Sequence, residues 1–316
     1  MIIVSGDEIR DLLPMADAIE TVQTAMIAVS QGRANMPLRS VMEIDGTNRL
    51  GIMPGALRDP DIYGVKLISL FPGNPAKGLS SHIGQMVIFD NDTGAVTACL
   101  DADALTAIRT AAASAAATRV LARKDARVLA VIGTGEQAES HIEAMNCVRD
   151  VSEVRVAGRT QIRAAEFIKR VGPKFPDLAF VAAKDAREAV LGADIVCSVT
   201  SSATPVLQGN WIAPGMHVNA VGASIPTMQE IDRDLLMKSA LFVDYRASAM
   251  AQAREIIDAI AGGDMDQAHI RGEIGQVYAG EIAGRKGEDE ITLYRSLGVA
   301  AQDLACAQRV LDIRRL

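Results

Sequence analysis

Residues 128–138 read Val128-Leu129-Ala130-Val131-Ile132-Gly133-Thr134-Gly135-Glu136-Gln137-Ala138, an apolar run entering a Gly-x-Gly-x-x-Ala turn that opens onto a helix-compatible stretch. Glycine at 133 permits a tight turn, and glycine at 135 lets backbone N–H groups approach a pyrophosphate. Small Ala138 lets the helix pack on the strand. A strand before and a helix after give this pattern the context that a dinucleotide site requires. The competing reading is a glycine-rich turn in an α/β protein of any kind.

Working outward, the chain after Asp125 alternates strand and helix. The predicted segments are 127–132, 136–148, 153–157, 161–171, 179–183, 184–192 and 194–199, then strands at 217–221 and 241–244. This alternation predicts a parallel, doubly wound sheet of the Rossmann type. Before it, Met15, Ile19, Val22, Met26 and Val29 repeat at helical spacing. From Arg39 to Asp101, short apolar runs are broken by Asp45-Gly46, Arg58-Asp59-Pro60, Pro72-Gly73-Asn74-Pro75 and Asn91-Asp92-Thr93-Gly94, which predicts a mostly antiparallel sheet. An alanine-rich helix over 102–123 bridges into the Rossmann part, and a last helix, 297–314, returns to the first domain. The fold class is therefore α/β with a discontinuous α+β domain. The expected domains are 1–120 with 297–316, and 121–296.

Composition narrows the function. At 316 residues and net charge −7, the chain has no basic run to neutralise nucleic-acid phosphates. Cys99, Cys147, Cys197 and Cys306 lie far apart in apolar stretches and read as reduced core thiols, and the four histidines show no metal-ligand spacing. No window approaches a membrane span, and Met1-Ile-Ile-Val-Ser lacks a basic region followed by a long apolar one. A soluble cytoplasmic protein, without metal, membrane or nucleic-acid partner, is expected.

The second Rossmann strand commonly ends in an acid that accepts from the ribose hydroxyls. Here Val154-Arg155-Val156-Ala157 runs into Gly158-Arg159-Thr160. Arg159 and Thr160 suit a 2′-phosphate and favour NADP(H) over NAD(H). The alternative is a solvated Arg159 beside a helix-capping Thr160.

Three cations stand out elsewhere. Lys66 shares a strand face with Ile68 and Leu70, so it is either an interior lysine with a depressed pKa or an edge lysine reaching water. Arg109 lies in the otherwise uncharged stretch Leu105 to Ala113, where burial demands an anion. Arg39 enters a strand after Asn35-Met36-Pro37-Leu38 and alone reads as a surface residue. Together the three suggest a pocket for a small carboxylate. Thr227-x-x-Glu230 fits a helix capping box, which gives Glu230 a local partner.

These residues resemble the ornithine cyclodeaminase and mu-crystallin family over nearly the whole chain. The likeness rests on Met36-Pro37-Leu38-Arg39, Gly64-Val65-Lys66, Ser81-His82, Leu105-Thr106-Ala107-Ile108-Arg109-Thr110-Ala111-Ala112, the glycine turn, Gly158-Arg159-Thr160, Asn219-Ala220-Val221-Gly222-Ala223-Ser224 and Ser296-Leu297-Gly298. The resemblance implies that Arg39, Lys66 and Arg109 bind a substrate carboxylate, with Lys66 catalytic and nearest the reacting carbon. Ser224 and Glu273 are the further substrate-side residues it implies. Cofactor contacts are implied for His82, Arg109, Thr110, Gly133, Thr134, Gly135, Glu136, Gln137, Arg159, Thr160, Thr200, Val221 and Ser296. It also implies a homodimer joined through the first domain's sheet.

Cyclodeaminases of the family carry an aspartate after a Gly-Gly pair where this chain has Gly222-Ala223-Ser224, which counts against cyclodeamination of ornithine. The wording resembles the mu-crystallin branch, although Ile225 stands where that branch has arginine. The expected activity is NAD(P)H-dependent reduction of a small 2-imino acid, a cyclic ketimine such as pyrroline-2-carboxylate or piperideine-2-carboxylate. The alternatives are a cyclodeaminase-type lyase, an alanine or N-alkyl amino acid dehydrogenase, and an NADPH-dependent ligand-binding protein.

Overall fold

The computed structural model describes residues 1–315; Leu316, the end of the expected first domain, lies outside the described residues, as does the side chain of Pro75. The chain opens with β1 (Ile2–Val4), α1 (Gly6–Leu12) and α2 (Met15–Ser30). Six strands follow: β2 (Ala34–Asn35), β3 (Ser40–Asp45), β4 (Asn48–Arg58), β5 (Asp61–Leu70), β6 (His82–Phe89) and β7 (Val96–Asp101). After α3 (Ala102–Leu121) come β8 (Val128–Ile132), α4 (Glu136–Val148), β9 (Glu153–Ala157), α5 (Gln161–Val171), β10 (Ala179–Ala182), α6 (Ala186–Val190) and β11 (Ile195–Ser198). Then β12 (His217–Ala220), α7 (Arg233–Lys238), β13 (Ala240–Val243), α8 (Arg246–Gln252) and α9 (Arg254–Ala261) precede β14 (Ile270–Glu273), α10 (Ile274–Tyr278), β15 (Thr292–Arg295) and α11 (Ala300–Arg314).

Two compact units result. One comprises Met1–Thr110 and the chain from Val299 onward, the other Ala111–Gly298. The division falls inside α3 rather than at its end, where the sequence placed it.

The first unit is built on a sheet in the order β1-β7-β6-β5-β4-β2, with β3 also on β4. Every pairing is antiparallel except β1 on β7. Helix α11 lies against β4 and β5 and packs on α2, whose inward stripe is Met15, Ile19, Val22, Met26 and Val29. Two glycines admit this helix. Gly55 and Gly64 are cross-strand partners; a Cβ on Gly55 would lie 2.7 Å from Cβ of Ala300, and one on Gly64 2.3 Å from the Val87 carbonyl oxygen.

The second unit carries an eight-stranded sheet, ordered β10-β9-β8-β11-β12-β15-β13-β14. All its pairings are parallel. The chain runs outward from β8 in one direction and then in the other, the doubly wound order that leaves a ligand crevice at the carboxyl ends of β8 and β11. Strands β14 and β15 carry no signal that the sequence reading used, yet β15 stands inside the sheet between β12 and β13. Strands β11, β12, β13 and β15 are buried throughout, as parallel strands covered on both faces must be.

Among the cysteines, Cys197 and Cys306 are buried as expected, but Cys147 is exposed and Cys99 half-buried; all are free. Cys147 falls near the outer end of α4, where an apolar neighbour in sequence does not share its face. No single described helix is long and apolar enough to cross a membrane.

Replacing Gly64 by alanine forces its Cβ against a backbone carbonyl that cannot rotate away. We expect Gly64→Ala to lose about 2 kcal/mol or more, read as a lower urea midpoint, whereas Gly135→Ala, which meets open space, leaves the midpoint near the wild-type value.

Candidate active site

Lys66 is 2% exposed and lies in the middle of β5. The register sets it beside Met53 of β4 and Met86 of β6, with Leu100 of β7 beyond. All three neighbours are buried, so this lysine interrupts an apolar row across four strands. Its ammonium reaches a carboxylate from the far end of the chain: Nζ donates to Asp303 Oδ1 at 2.9 Å and to Thr106 Oγ1 at 3.2 Å. Of three N–H donors on the ammonium, these use two. Burial pushes the Lys66 pKa down to about 8; Asp303 opposes the fall, and the charges of Arg109 and Arg39 add to it.

Arg109, one helical turn after Thr106 on α3, is also buried. Its Nε donates to the same Asp303 oxygen at 3.0 Å, and Nη1 donates to Gln302 Oε1 at 2.9 Å. Asp303 is fully buried. Burial opposes its ionisation, but the Arg109 and Lys66 charges and hydrogen bonds outweigh that and hold the carboxyl below the usual range. Asp303 Oδ2 has no partner among the described residues. Arg39, half-buried, precedes β3, whose first residue pairs with Ile52 next to Met53, so its charge is felt at Lys66. The buried cluster therefore holds two cations, Lys66 and Arg109, and one carboxylate, a net positive set. His82 opens β6 in an exposed position, Nδ1 2.8 Å from Ser81 Oγ, and Thr110 is buried beside Arg109.

In the second unit the glycine turn joins β8 to α4. Gly133 has φ +129°, and a Cβ there would sit 2.9 Å from the Val199 carbonyl oxygen, so only glycine fits. No described atom lies within 4 Å of a Cβ built on Gly135, the N-cap of α4. That open approach to the first turn of a helix, with Thr134, Glu136 and Gln137 around it, fits a pyrophosphate. Arg159 is exposed just past β9, whose last residue pairs with Ile132. Thr160 caps α5 by accepting from Arg163 N, so its hydroxyl serves the helix as the alternative reading held.

Thr200, Val221, Ser224 and Ser296 follow the ends of β11, β12 and β15, at the same edge of the sheet. Val221 and Ser296 are buried. Glu273 lies farther along, as the last residue of β14, where Oε1 accepts from Arg246 N at 2.8 Å; burial raises its pKa against the pull of Arg246. The capping-box reading of Glu230 is corrected. The helix begins at Arg233 and its N-cap is Asp232, which accepts from Leu235 N. Glu230 is buried and accepts instead from Thr200 N and Oγ1, at 2.6 and 2.8 Å.

Two site residues escaped the sequence reading, Gln302 and Asp303. A signal existed: Asp303 is the one charge between Leu297 and Gln308, an acid among alanines that matches Arg109, a base among alanines. No described group of His, Cys, Asp or Glu could hold a metal ion.

A family model described as the ornithine cyclodeaminase/mu-crystallin family matches residues 2–315. A Delta(1)-pyrroline-2-carboxylate reductase of Bacillus cereus is 35% identical over 310 residues, covering 98% of this chain and 95% of that protein. The structure of Thermococcus litoralis Delta(1)-pyrroline-2-carboxylate reductase in complex with NADH and L-proline superposes with TM-score 0.95 at 32% identity, over 100% of this chain and 98% of the other. An archaeal alanine dehydrogenase dimer with bound NAD gives 0.92 at 32% identity, over 100% and 96%.

Removing the shared carboxylate leaves two buried cations unpaired. Asp303→Ala is expected to cost about 3–5 kcal/mol in urea denaturation. Lys66→Met, which completes the apolar row and leaves Asp303 paired with Arg109, is expected to cost less than about 1.5 kcal/mol.

Proposed function

The chain belongs to the ornithine cyclodeaminase/mu-crystallin family, and on that premise we propose that it reduces a small cyclic 2-imino acid to the amino acid with a nicotinamide dinucleotide. Within this proposal the first unit binds substrate and forms a homodimer, and the second binds the dinucleotide. The observation that carries it is the buried set of Lys66, Arg109 and Asp303, a net cationic pocket that a small carboxylate neutralises. Arg109 and Arg39 hold the substrate carboxylate. The third Lys66 N–H faces the imine nitrogen. When bound, the dinucleotide supplies a hydride to the imine carbon. Lys66 Nζ gives a proton to the nitrogen as the C=N bond becomes C–N, and solvent returns the proton to Lys66.

The glycine turn, with Thr134, Glu136 and Gln137, receives the pyrophosphate. Thr200, Val221 and Ser296 flank the rest of the dinucleotide. The solved relatives hold NADH and NAD; Arg159, standing where an acid would repel a 2′-phosphate, is the reason to favour NADPH here. The dimeric alanine dehydrogenase and the exposed apolar residues Val41, Met42 and Ile44 of β3 support the homodimer. We place the enzyme in the cytoplasm, where such dinucleotides are available.

The test is a spectrophotometric screen of pyrroline-2-carboxylate, piperideine-2-carboxylate and pyruvate with amines, against NADPH and NADH. Cofactor oxidation with a cyclic ketimine is the expected result; ammonia and proline from ornithine without net cofactor consumption would overturn it. Lys66→Met is expected to lower kcat by about a hundredfold or more while dinucleotide binding persists. Because Lys66 is protonated below its pKa of about 8, reduction should fall as pH rises through that value, and reverse oxidation should rise over the same range. Arg159→Ala is expected to raise KM for NADPH roughly tenfold with little change for NADH; equal effects on both would remove Arg159 from phosphate recognition.

A further inference from the structure

The loops that leave β11 and β12 run against each other. A Cβ on Gly222 would lie 2.0 Å from the carbonyl oxygen of Thr200 and 2.4 Å from its nitrogen, so glycine is what lets the two backbones meet. The carboxylate of Glu230, 2% exposed, stands between them. Its Oε1 serves the β11 side, accepting from Ser198 Oγ at 2.6 Å, Thr200 N at 2.6 Å and Thr200 Oγ1 at 2.8 Å. Its Oε2 serves the β12 side, accepting from Gly222 N at 2.6 Å and Ala223 N at 3.1 Å.

The turn after β12 is also gripped by its carbonyls. Buried Arg295 donates through Nη2 to the Ala223 oxygen and through Nη1 to the Ala220 oxygen, and its charge is met by buried Glu255. Amides held by a carboxylate and carbonyls held by a guanidinium leave this turn no freedom to rotate its peptides. Helix formation does not require Glu230, because Asp232 already caps α7.

A doubly wound sheet binds a dinucleotide in two halves across its crevice. The half of β8, β9 and β10 holds the glycine turn and Arg159; β11 and β12 belong to the other. We propose that Glu230 is a positioning residue for the nicotinamide half of the dinucleotide, fixing the spacing between the Thr200 loop and the Gly222–Ser224 turn. This rests on the dinucleotide-binding reading of the second unit. It also assigns Thr200 a limited part: with its amide and hydroxyl given to Glu230, what it offers a ligand is its methyl group and carbonyl.

The test compares NADH with ADP-ribose, which lacks the nicotinamide ring, by calorimetric titration of the full chain. Glu230→Gln keeps the side chain's size but turns one acceptor into a donor facing backbone N–H groups. NADH is expected to bind about tenfold or more weakly, and ADP-ribose within about twofold of wild type. Ser198→Ala, which removes a single donor and leaves the carboxylate, is expected to weaken NADH about threefold with ADP-ribose unchanged; it carries the test where Glu230→Gln shows no cooperative melting. Unchanged NADH affinity, or equal loss of both ligands in a folded variant, overturns the positioning role while the dinucleotide site stands. A wild-type protein that binds neither ligand, nor NADPH, overturns both.

Discussion

A single carboxylate, Asp303, makes the first unit's chemistry compatible with its fold. Lys66 and Arg109 are buried where an unpaired cation would cost several kcal/mol, and Asp303 Oδ1 receives both. The carboxylate arrives on α11, 237 positions after Lys66 in the chain. Helix α11 can deliver it only because Gly55 and Gly64 leave the sheet surface low enough for Ala300 and Leu304 to settle. Apolar packing and ion pairing are thus one event: the lysine is tolerable in its methionine row only once the last helix has docked. Such a long-range contact is reached late in loop-closure terms, so the carboxylate pocket is a property of the finished fold and not of the sheet alone.

The second unit uses buried charge differently. Where Asp303 pairs with side chains and leaves the cluster net positive, Glu230 gives its oxygens to hydroxyls and backbone amides on two loops. Arg295, neutralised by Glu255, takes carbonyls of the same turn. One unit therefore carries a net positive buried cluster, and the other uses its charges to hold backbone in place. This division suits a reaction in which one partner is recognised by charge and the other must be held in orientation.

Much of this was legible in the chain. The glycine turn was, because an αL-side glycine followed by an open glycine and an alanine is a local steric requirement written in consecutive residues. Lys66 and Arg109 were noticeable because a charge in an apolar pattern breaks a local period. Asp303 offered the same signal on α11, but its meaning lay in partners far away in sequence. A Thr-x-x-Glu spacing satisfies a local rule, but the donors to Glu230 come from the end of β11 and from the loops that follow β11 and β12. Strand β15 shows the same limit. Its four residues, Thr-Leu-Tyr-Arg, end in an arginine that looks like surface and is instead the most voluminous fully buried side chain. Pattern reads what a residue needs from its neighbours in sequence; it does not read compensation supplied from elsewhere.

That limit bears on how the Lys66 pKa comes to rest near neutrality. Burial alone drives a lysine down by several units, and Arg109 and Arg39 push the same way. Without the carboxylate the lysine's pKa would lie lower, and with a carboxylate of its own it would lie higher. Asp303 is shared with Arg109, so Lys66 receives only part of its stabilisation, and its pKa settles at about 8. An acid that must donate near pH 7 and recover its proton from solvent works best with a pKa close to that pH. Burial lowers the lysine's pKa, Asp303 opposes the fall, and Arg109, which shares the same aspartate oxygen, also limits how tightly the lysine keeps its proton.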